Sequence, residues 1–192
     1  MEALLMFLVT VAALSWVGFA LSPWGPWRNR EVLDVIDEPD REESHDEITV
    51  VIPARNEAEV IQHALQSVIA QGAGLKIILI DDTSDDATVA KARALAYANL
   101  RIVDGAPLPA GWSGKLWALE QGLRQVMTRY TLFLDADIKL TPGIVTALKN
   151  KMRHEGIPFS SLTAVPAMSS IWEKLLTPAF VYFFKGLYPF SE

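Results

Sequence analysis

Asp135-Ala136-Asp137 stands at the end of the apolar run Tyr130-Thr131-Leu132-Phe133-Leu134. A short apolar run of this composition is expected to be a buried strand. Carboxylates at i and i+2 of an extended chain share a face, so the two can converge on one divalent cation. Mg²⁺ and Mn²⁺ prefer oxygen ligands, and Mg²⁺ commonly shares them with substrate phosphates. The pair therefore points to chemistry on a nucleotide diphosphate. Two aspartates alone are a weak signal, and its weight comes from three polar segments upstream.

The first is Val51-Ile52-Pro53-Ala54-Arg55-Asn56-Glu57, apolar residues stopped by proline and followed by a polar turn. Asn56 suits a helix cap and Glu57 the positive end of the helix; the same turn also suits part of a nucleoside pocket. The second is Ile80-Asp81-Asp82-Thr83-Ser84-Asp85-Asp86-Ala87-Thr88. Its carboxylates suit hydrogen bonds from a base N–H or a ribose hydroxyl, or capping of the next helix by Ser84, Asp85 or Asp86. A phosphoacceptor aspartate fits Asp81-Asp82 as well, but leaves Asp135-Ala136-Asp137 unexplained. The third, Gly111-Trp112-Ser113-Gly114-Lys115, is a glycine-rich turn before a helix, where backbone N–H groups and a lysine favour an anion. It lacks the spacing of a Walker loop.

Alternating strands and helices must carry these segments. Ile48 to Ile52 forms the first strand, ended by Pro53, and Glu57 to Gln71 has the apolar spacing of a helix. Lys76 to Ile80 is a second strand, Asp86 to Tyr97 a helix, and Leu100 to Val103 a third strand. Lys115 to Met127 is a helix, Tyr130 to Leu134 a fourth strand, and Thr141-Pro142 opens the next helix as cap and first residue. Strand–helix alternation predicts an α/β fold with a mainly parallel sheet. Ligands of such sheets bind beyond the carboxyl ends of the strands, where all four polar segments would meet.

Together the segments resemble the nucleotide-sugar domain of family 2 glycosyltransferases of the GT-A type. The resemblance rests on Val51 to Glu57, Ile80 to Thr88, Gly114-Lys115-Leu116-Trp117-Ala118-Leu119 and Leu134 to Asp137, across about residues 48 to 150. The run from Gly111 to Ala118, with the apolar N-terminus, is most similar to the hopene-associated membrane glycosyltransferases of hopanoid biosynthesis. The resemblance implies that Pro53, Glu57, Asp81 and Asp82 line the pocket for the nucleoside of a UDP-sugar or similar donor. It places Lys115 near the diphosphate, and Asp135 and Asp137 on Mg²⁺ or Mn²⁺. It further implies transfer with inversion to a lipid or polyisoprenoid acceptor. The catalytic-base carboxylate expected after the Asp-x-Asp pair has no counterpart in context, nor does the Gln-x-x-Arg-Trp-type motif. The expectation is of a chain truncated partway through such a protein, with donor binding retained and transfer weak or absent. A nucleotidyltransferase and a non-catalytic, membrane-tethered nucleotide-binding remnant stand as alternatives.

The whole chain of 192 residues has a formal net charge of −6 and no cysteine. The charge argues against a nucleic-acid partner, which selects a basic stripe, and the missing cysteines exclude disulfides, thiolate metal sites and cysteine nucleophiles. Ala3 to Leu21 carries no charge and as a helix would span roughly 28 Å. Trp24, Trp27, Arg28 and Arg30 follow, the order expected at a cytoplasmic interface. Residues 1–27 are therefore expected to be a transmembrane anchor in the inner membrane, rather than a cleaved signal peptide, with residues 28–47 an acidic linker. Residues 48–160 would form the nucleotide-sugar-binding domain in the cytoplasm. Residues 161–192 would form an amphipathic helix of an incomplete acceptor region, opened by a Ser170/Glu173 capping box and interrupted by Pro178. Its pattern suits a helix lying on the bilayer and a core helix awaiting a partner equally well.

Overall fold

The computed structural model describes residues 2–21, 33, 35 and 44–187. Trp24, Trp27, Arg28, Arg30 and most of the acidic linker lie outside them. Two units are distinct, one of residues 33–162 and one that joins residues 1–32 to 163–192.

The larger unit is built on four parallel strands, β1 (Ile48–Ala54), β2 (Lys76–Asp81), β3 (Leu100–Asp104) and β4 (Tyr130–Phe133), in the order β3-β2-β1-β4. β1 is central and buried on both faces, which is why it is a continuous β-branched run rather than an alternating one. Val50, Ile52, Ile77 and Leu79 meet Ile61, Leu65 and Val68 of α2 (Ile61–Ile69) and Ala92 of α3 (Thr88–Arg93). On the other face Val51, Ile78 and Ile80 meet Ala118 of α4 (Gly114–Leu123). Each fully buried leucine or isoleucine contributes about 1.5–3 kcal/mol. Gly122 lets α4 lie against the sheet: a Cβ there would sit 2.4 Å from Val51 Cγ1. Val145 of α5 (Ile144–Glu155) joins the α2/α3 side.

The parallel sheet expected from the strand–helix alternation is present. Several boundaries differ from the sequence expectation: α3 and α4 end at Arg93 and Leu123 instead of Tyr97 and Met127, and three others differ as well. Pro53 lies inside β1 instead of ending it, paired with Ile80. The ladder to β4 stops at Val51–Phe133, and Leu134 N–H donates to Val51 O, so the N–H that proline lacks faces a side where no partner strand continues. Helix α2 begins at Ile61 rather than Glu57: the residues before it form a turn in which Val60 and Ile61 N–H both donate to Glu57 O, while the amides of Glu57 and Ala58 donate to Thr88 at the start of α3 and to Asp86 before it. Helix α5 is entered through Gly143, at φ 81°, after a turn in which Ile144 N–H donates to Thr141 O; Thr141 is therefore part of the turn and not the cap.

The last residues before β1 are packed rather than merely solvated. His45 is fully buried, with Nε2 3.2 Å from Gln71 O, and Glu47 accepts from Arg153 at 2.6 Å.

The second unit holds α1 (Glu2–Ala20) and α6 (Ile171–Leu187). Helix α1 exposes Leu4, Phe7, Val11, Leu14 and Trp16. Its Thr10 and Ser15 hydroxyls both donate to carbonyls four residues back, at 2.8 Å. Among the described residues no helix is long and apolar enough to cross a membrane; a 19-residue helix reaches about 28 Å against a hydrocarbon core of about 30 Å. The fold therefore does not establish the transmembrane helix expected from Ala3 to Leu21. Helix α6 opens on the capping box read from the sequence, with Glu173 N–H donating to Ser170 Oγ at 3.1 Å and Ser170 N–H donating to Glu173 Oε2 at 2.9 Å.

Candidate active site

The strand order reverses direction between β1 and β4: the chain runs outward from β1 to β2 to β3, then returns to place β4 on the other side of β1. Crevices at the carboxyl ends of such strands are the ligand sites of open α/β sheets. A cleft of about 460 Å³ lies there, lined by residues that include Pro53, Glu57, Asp82, Lys115, Asp135 and Asp137. Six of the seven residues expected to form the site thus share one concavity.

Each arrives by a different route. Pro53 is the last residue but one of β1, and Glu57 follows in the loop after it. Asp82 follows β2, with Oδ2 3.7 Å from Arg55 Nη1. Gly114 opens α4, and a Cβ there would lie 3.1 Å from Asp82 Oδ2, so glycine allows the helix to start close to this carboxylate. Lys115 reaches across to β4, where its Nζ is 2.7 Å from Asp135 Oδ1. Ala136 is buried while Asp135 and Asp137 on either side of it are exposed; the chain has left β4 here and turns, with Ile138 N–H donating to Asp135 O at 3.2 Å.

Asp81 is the residue the geometry separates from the rest. It continues the face of β2 that carries Ile77 and Leu79, opposite to that of Ile78 and Ile80. It is 8% exposed, accepts from Ser84 N–H at 3.3 Å through Oδ2, and leaves Oδ1 without a hydrogen-bond partner. It does not line the cleft.

The rest of the polar segment after β2 ties two loops together. Asn56, at φ 56°, receives Asp85 N–H on its Oδ1 and donates its own N–H to Ser84 Oγ. Glu57 N–H donates to Thr88 Oγ1, and Ala58 N–H to Asp86 Oδ2. Asp86 also accepts from the hydroxyl and N–H of Thr88. The Thr88 hydroxyl above all, helped by these backbone donors and opposed by partial desolvation, holds the Asp86 carboxyl below the usual range. Ser84, Asp86 and Thr88 therefore serve as struts of the β1 exit loop.

A second hollow of about 420 Å³ adjoins the first, sharing Arg55, Asp82 and Gly114 and adding Gly105, Ala106 and Leu108 from the loop after β3. Gly105 N–H donates to Asp81 O at 2.8 Å, and a Cβ at Gly105 would lie 2.9 Å from that oxygen, so this loop begins pressed onto the end of β2. Arg55 and the loop from Gly105 to Leu108 were not assigned roles from the sequence. Arg55 lay within a recognised segment and its charge was the available signal; the loop carries no polar side chain to advertise it.

Among the described residues no group of three His, Cys, Asp or Glu side chains is arranged to hold a metal. Asp135 and Asp137 nonetheless fit Mg²⁺ or Mn²⁺ by donor chemistry, since such ions take one or two carboxylates and complete their shell with phosphate oxygens and water. Lys115 already places a cation on Asp135, which shows that the position favours positive charge.

Comparison with known proteins agrees with this architecture. The family model described as "Glycosyl transferase family 2" matches residues 49–187. A 4,4'-diaponeurosporenoate glycosyltransferase of Staphylococcus aureus (strain MRSA252) is 36% identical over 114 residues, covering 59% of this chain and 30% of that protein. The chain thus matches about a third of the length of this curated relative, whose name is not that of a hopene-associated enzyme. Two solved structures share the fold: S. aureus TarS 1-349 (17% identity, TM-score 0.50, 62% of this chain and 38% of that one), and the mannosyltransferase PcManGT from Pyrobaculum calidifontis in complex with GDP-Man and Mn²⁺ (23% identity, TM-score 0.50, 72% and 41%).

Proposed function

Because the chain belongs to glycosyltransferase family 2, we propose that its cleft binds a nucleotide-diphosphate sugar, a UDP-sugar in the first instance, for transfer to a lipid or polyisoprenoid-type acceptor. The observation that carries this reading is the gathering of Asp82, Lys115, Asp135 and Asp137 into one cleft at the β1/β4 reversal. A binding site for a diphosphate needs cationic groups, free N–H donors and carboxylates able to recruit a divalent ion, and these four residues with the start of α4 supply all three.

In this reading Asp82 accepts a hydrogen bond from the nucleoside, with Arg55 beside it to fix the carboxylate. The N-terminal amides of α4 and Lys115 face the diphosphate. Asp135 and Asp137 would hold Mg²⁺ or Mn²⁺, and the ion would supply positive charge to offset that developing on the departing diphosphate. In the transfer a carboxylate oxygen of the acceptor, or a hydroxyl oxygen that has given up its proton to solvent, bonds to the anomeric carbon as the bond from that carbon to the phosphate oxygen breaks and its electron pair leaves with the diphosphate. The nucleoside diphosphate leaves, and the configuration at that carbon inverts. The relative named for 4,4'-diaponeurosporenoate supports an apolar acceptor; hopanoid-type acceptors belong to the same class. We place the chain at the inner membrane with the cleft in the cytoplasm. Support comes from α1, whose hydroxyls are already bonded to its own backbone and whose apolar side chains are exposed, and from the apolar residues of α6.

Isothermal titration of UDP into the detergent-solubilised chain, with and without Mn²⁺, tests the donor site. Binding strengthened by Mn²⁺ is the expected result. A folded chain that binds neither UDP nor GDP under either condition would refute it.

A further inference from the structure

The backbone of the loop after β3 is held from outside the cleft by two side chains of α4. Gln121 Oε1 accepts from Ala106 N–H at 2.6 Å, and Trp117 Nε1–H donates to Ala106 O at 3.0 Å. Both hydrogen-bonding groups of Ala106 are therefore engaged by one helix. Gln121 in turn donates through Nε2 to Trp117 O at 3.3 Å, so the two residues brace each other. The Trp117 ring is held by a T-shaped contact with Trp112, 5.3 Å between centroids, and by the Arg124 guanidinium 5.5 Å from its centroid. Glu120 orients Arg124 through an ion pair at 2.9 Å.

Ala106 itself lines the 420 Å³ hollow, with Gly105 before it and Leu108 beyond. The loop has one fixed end, where Gly105 is pressed onto Asp81 O. Past that point its polar side-chain anchors among the described residues are Trp117 and Gln121. Rigid support of this kind is what sets a binding surface before the ligand arrives and so lowers the ordering cost of binding.

We propose that Trp117 and Gln121 are positioning residues that hold the loop from Gly105 to Leu108 in the shape that receives the nucleoside end of the donor. This rests on the donor reading of the cleft. Neither residue touches the hollow; they act through Ala106. The consequence is selective. Losing the clamp weakens binding of a whole nucleotide and leaves the diphosphate end, held by Lys115, Asp135 and Asp137, as it was.

The test uses the full chain and three variants, Trp117→Phe, Gln121→Leu and Gln121→Glu. Two readouts are taken: hydrogen exchange at the Ala106 amide, and titration with UDP and with inorganic pyrophosphate, both in the presence of Mn²⁺. Trp117→Phe keeps the ring and loses the donor; Gln121→Glu keeps the acceptor for Ala106 N–H and serves as the rescue. The expected result is faster exchange at Ala106 in Trp117→Phe and Gln121→Leu while amides of β1 and β2 stay protected. UDP should bind about tenfold more weakly in those two variants, the scale of one lost hydrogen bond, with pyrophosphate affinity unchanged and Gln121→Glu close to the parent. Unchanged exchange at Ala106, or pyrophosphate weakening in step with UDP, overturns the proposal. A parent chain that binds neither UDP nor pyrophosphate overturns the donor reading and the proposal with it, so failure of the clamp alone is told apart by a parent that binds and variants that do not differ from it.

Discussion

Lys115 Nζ lies 2.7 Å from Asp135 Oδ1, joining the first turn of α4 to the exit of β4 across the cleft. Both side chains are more than half exposed, so the pair adds little to stability. Its importance is positional: a lysine and a carboxylate that belong to different elements meet where a diphosphate and its counter-ion would lie.

Replacing both Asp135 and Asp137 by alanine should abolish the Mn²⁺-dependent part of UDP binding while leaving the fold intact, because both side chains are exposed. Calorimetric titration with and without Mn²⁺ checks this, together with an unfolding curve to confirm the fold. Retention of full Mn²⁺ dependence in the double variant would remove these residues from the metal site.

Neighbouring Asp81 and Asp82 should behave differently. Asp82→Ala is expected to weaken UDP by about ten- to a hundredfold, the range for a hydrogen bond to a charged group, with little change in stability. Asp81 is buried off the cleft and accepts from Ser84, so Asp81→Ala should act first on stability, lowering the urea midpoint. The reverse order of effects would show that the ligand reaches the other face of β2.

Gly122→Ala should destabilise the chain although alanine is the better helix former. The helix gains about 1 kcal/mol from the substitution. Against this, the new Cβ would sit 2.4 Å from Val51 Cγ1 in the buried layer, and overpacking of this kind costs about 1–3 kcal/mol. A lowered urea midpoint is expected, partly restored by Val51→Ala in the same chain.

The loop after β1 should depend on pH through Asp86. Its folded carboxyl is lowered below the usual range, chiefly by the Thr88 hydroxyl, whereas in the unfolded chain it titrates near about 3.9. A depressed folded value means that the linkage favours the fold at neutral pH and is lost as pH falls through the folded value. The amide signals of Ala58 and Thr88 should therefore shift with a midpoint below the unfolded value of ~3.9. Asp86→Asn should remove that transition. A midpoint at or above the unfolded value would contradict the bonding seen here.

Much of this architecture was legible in residue order. The β-branched run from Ile48 to Ile52 specifies a buried strand by composition alone, and helical spacing between the strands requires crossovers, hence a parallel sheet. The apolar run ending at Leu134 also forms a strand, but β4 lies at the sheet edge, half-buried and with Phe133 exposed, instead of buried as its composition suggests. Ser170 and Glu173 announce the start of α6 because a capping box is made by residues three apart on one chain. Strand alternation alone would put Asp135 and Asp137 on one face; in the structure both lie past the end of β4, in a turn where Ile138 N–H donates to Asp135 O, and both line the cleft from there.

What residue order left open depended on contacts between distant segments. Asp81 and Asp82 are chemically alike and adjacent, and only the packing of β2 between two helical layers turns one into the core side and the other into the cleft. Pro53 could remain inside β1 because β4 stops short of it, a fact about the neighbouring strand. The carboxylates after β2 suit a nucleoside, and Ser84, Asp85 and Asp86 suit a helix cap, by residue type; yet the loop after β1 claims Ser84, Asp86 and Thr88, since backbone amides must find acceptors. The Ala106 clamp is of the same kind: Trp117 and Gln121 share one face of α4 by spacing, but that face acquires a partner only when the sheet brings the loop after β3 alongside it. The residue types and their local periodicity thus determined the elements and the chemical inventory, while the tertiary structure decided which polar groups were consumed by the scaffold and which stayed available to a ligand.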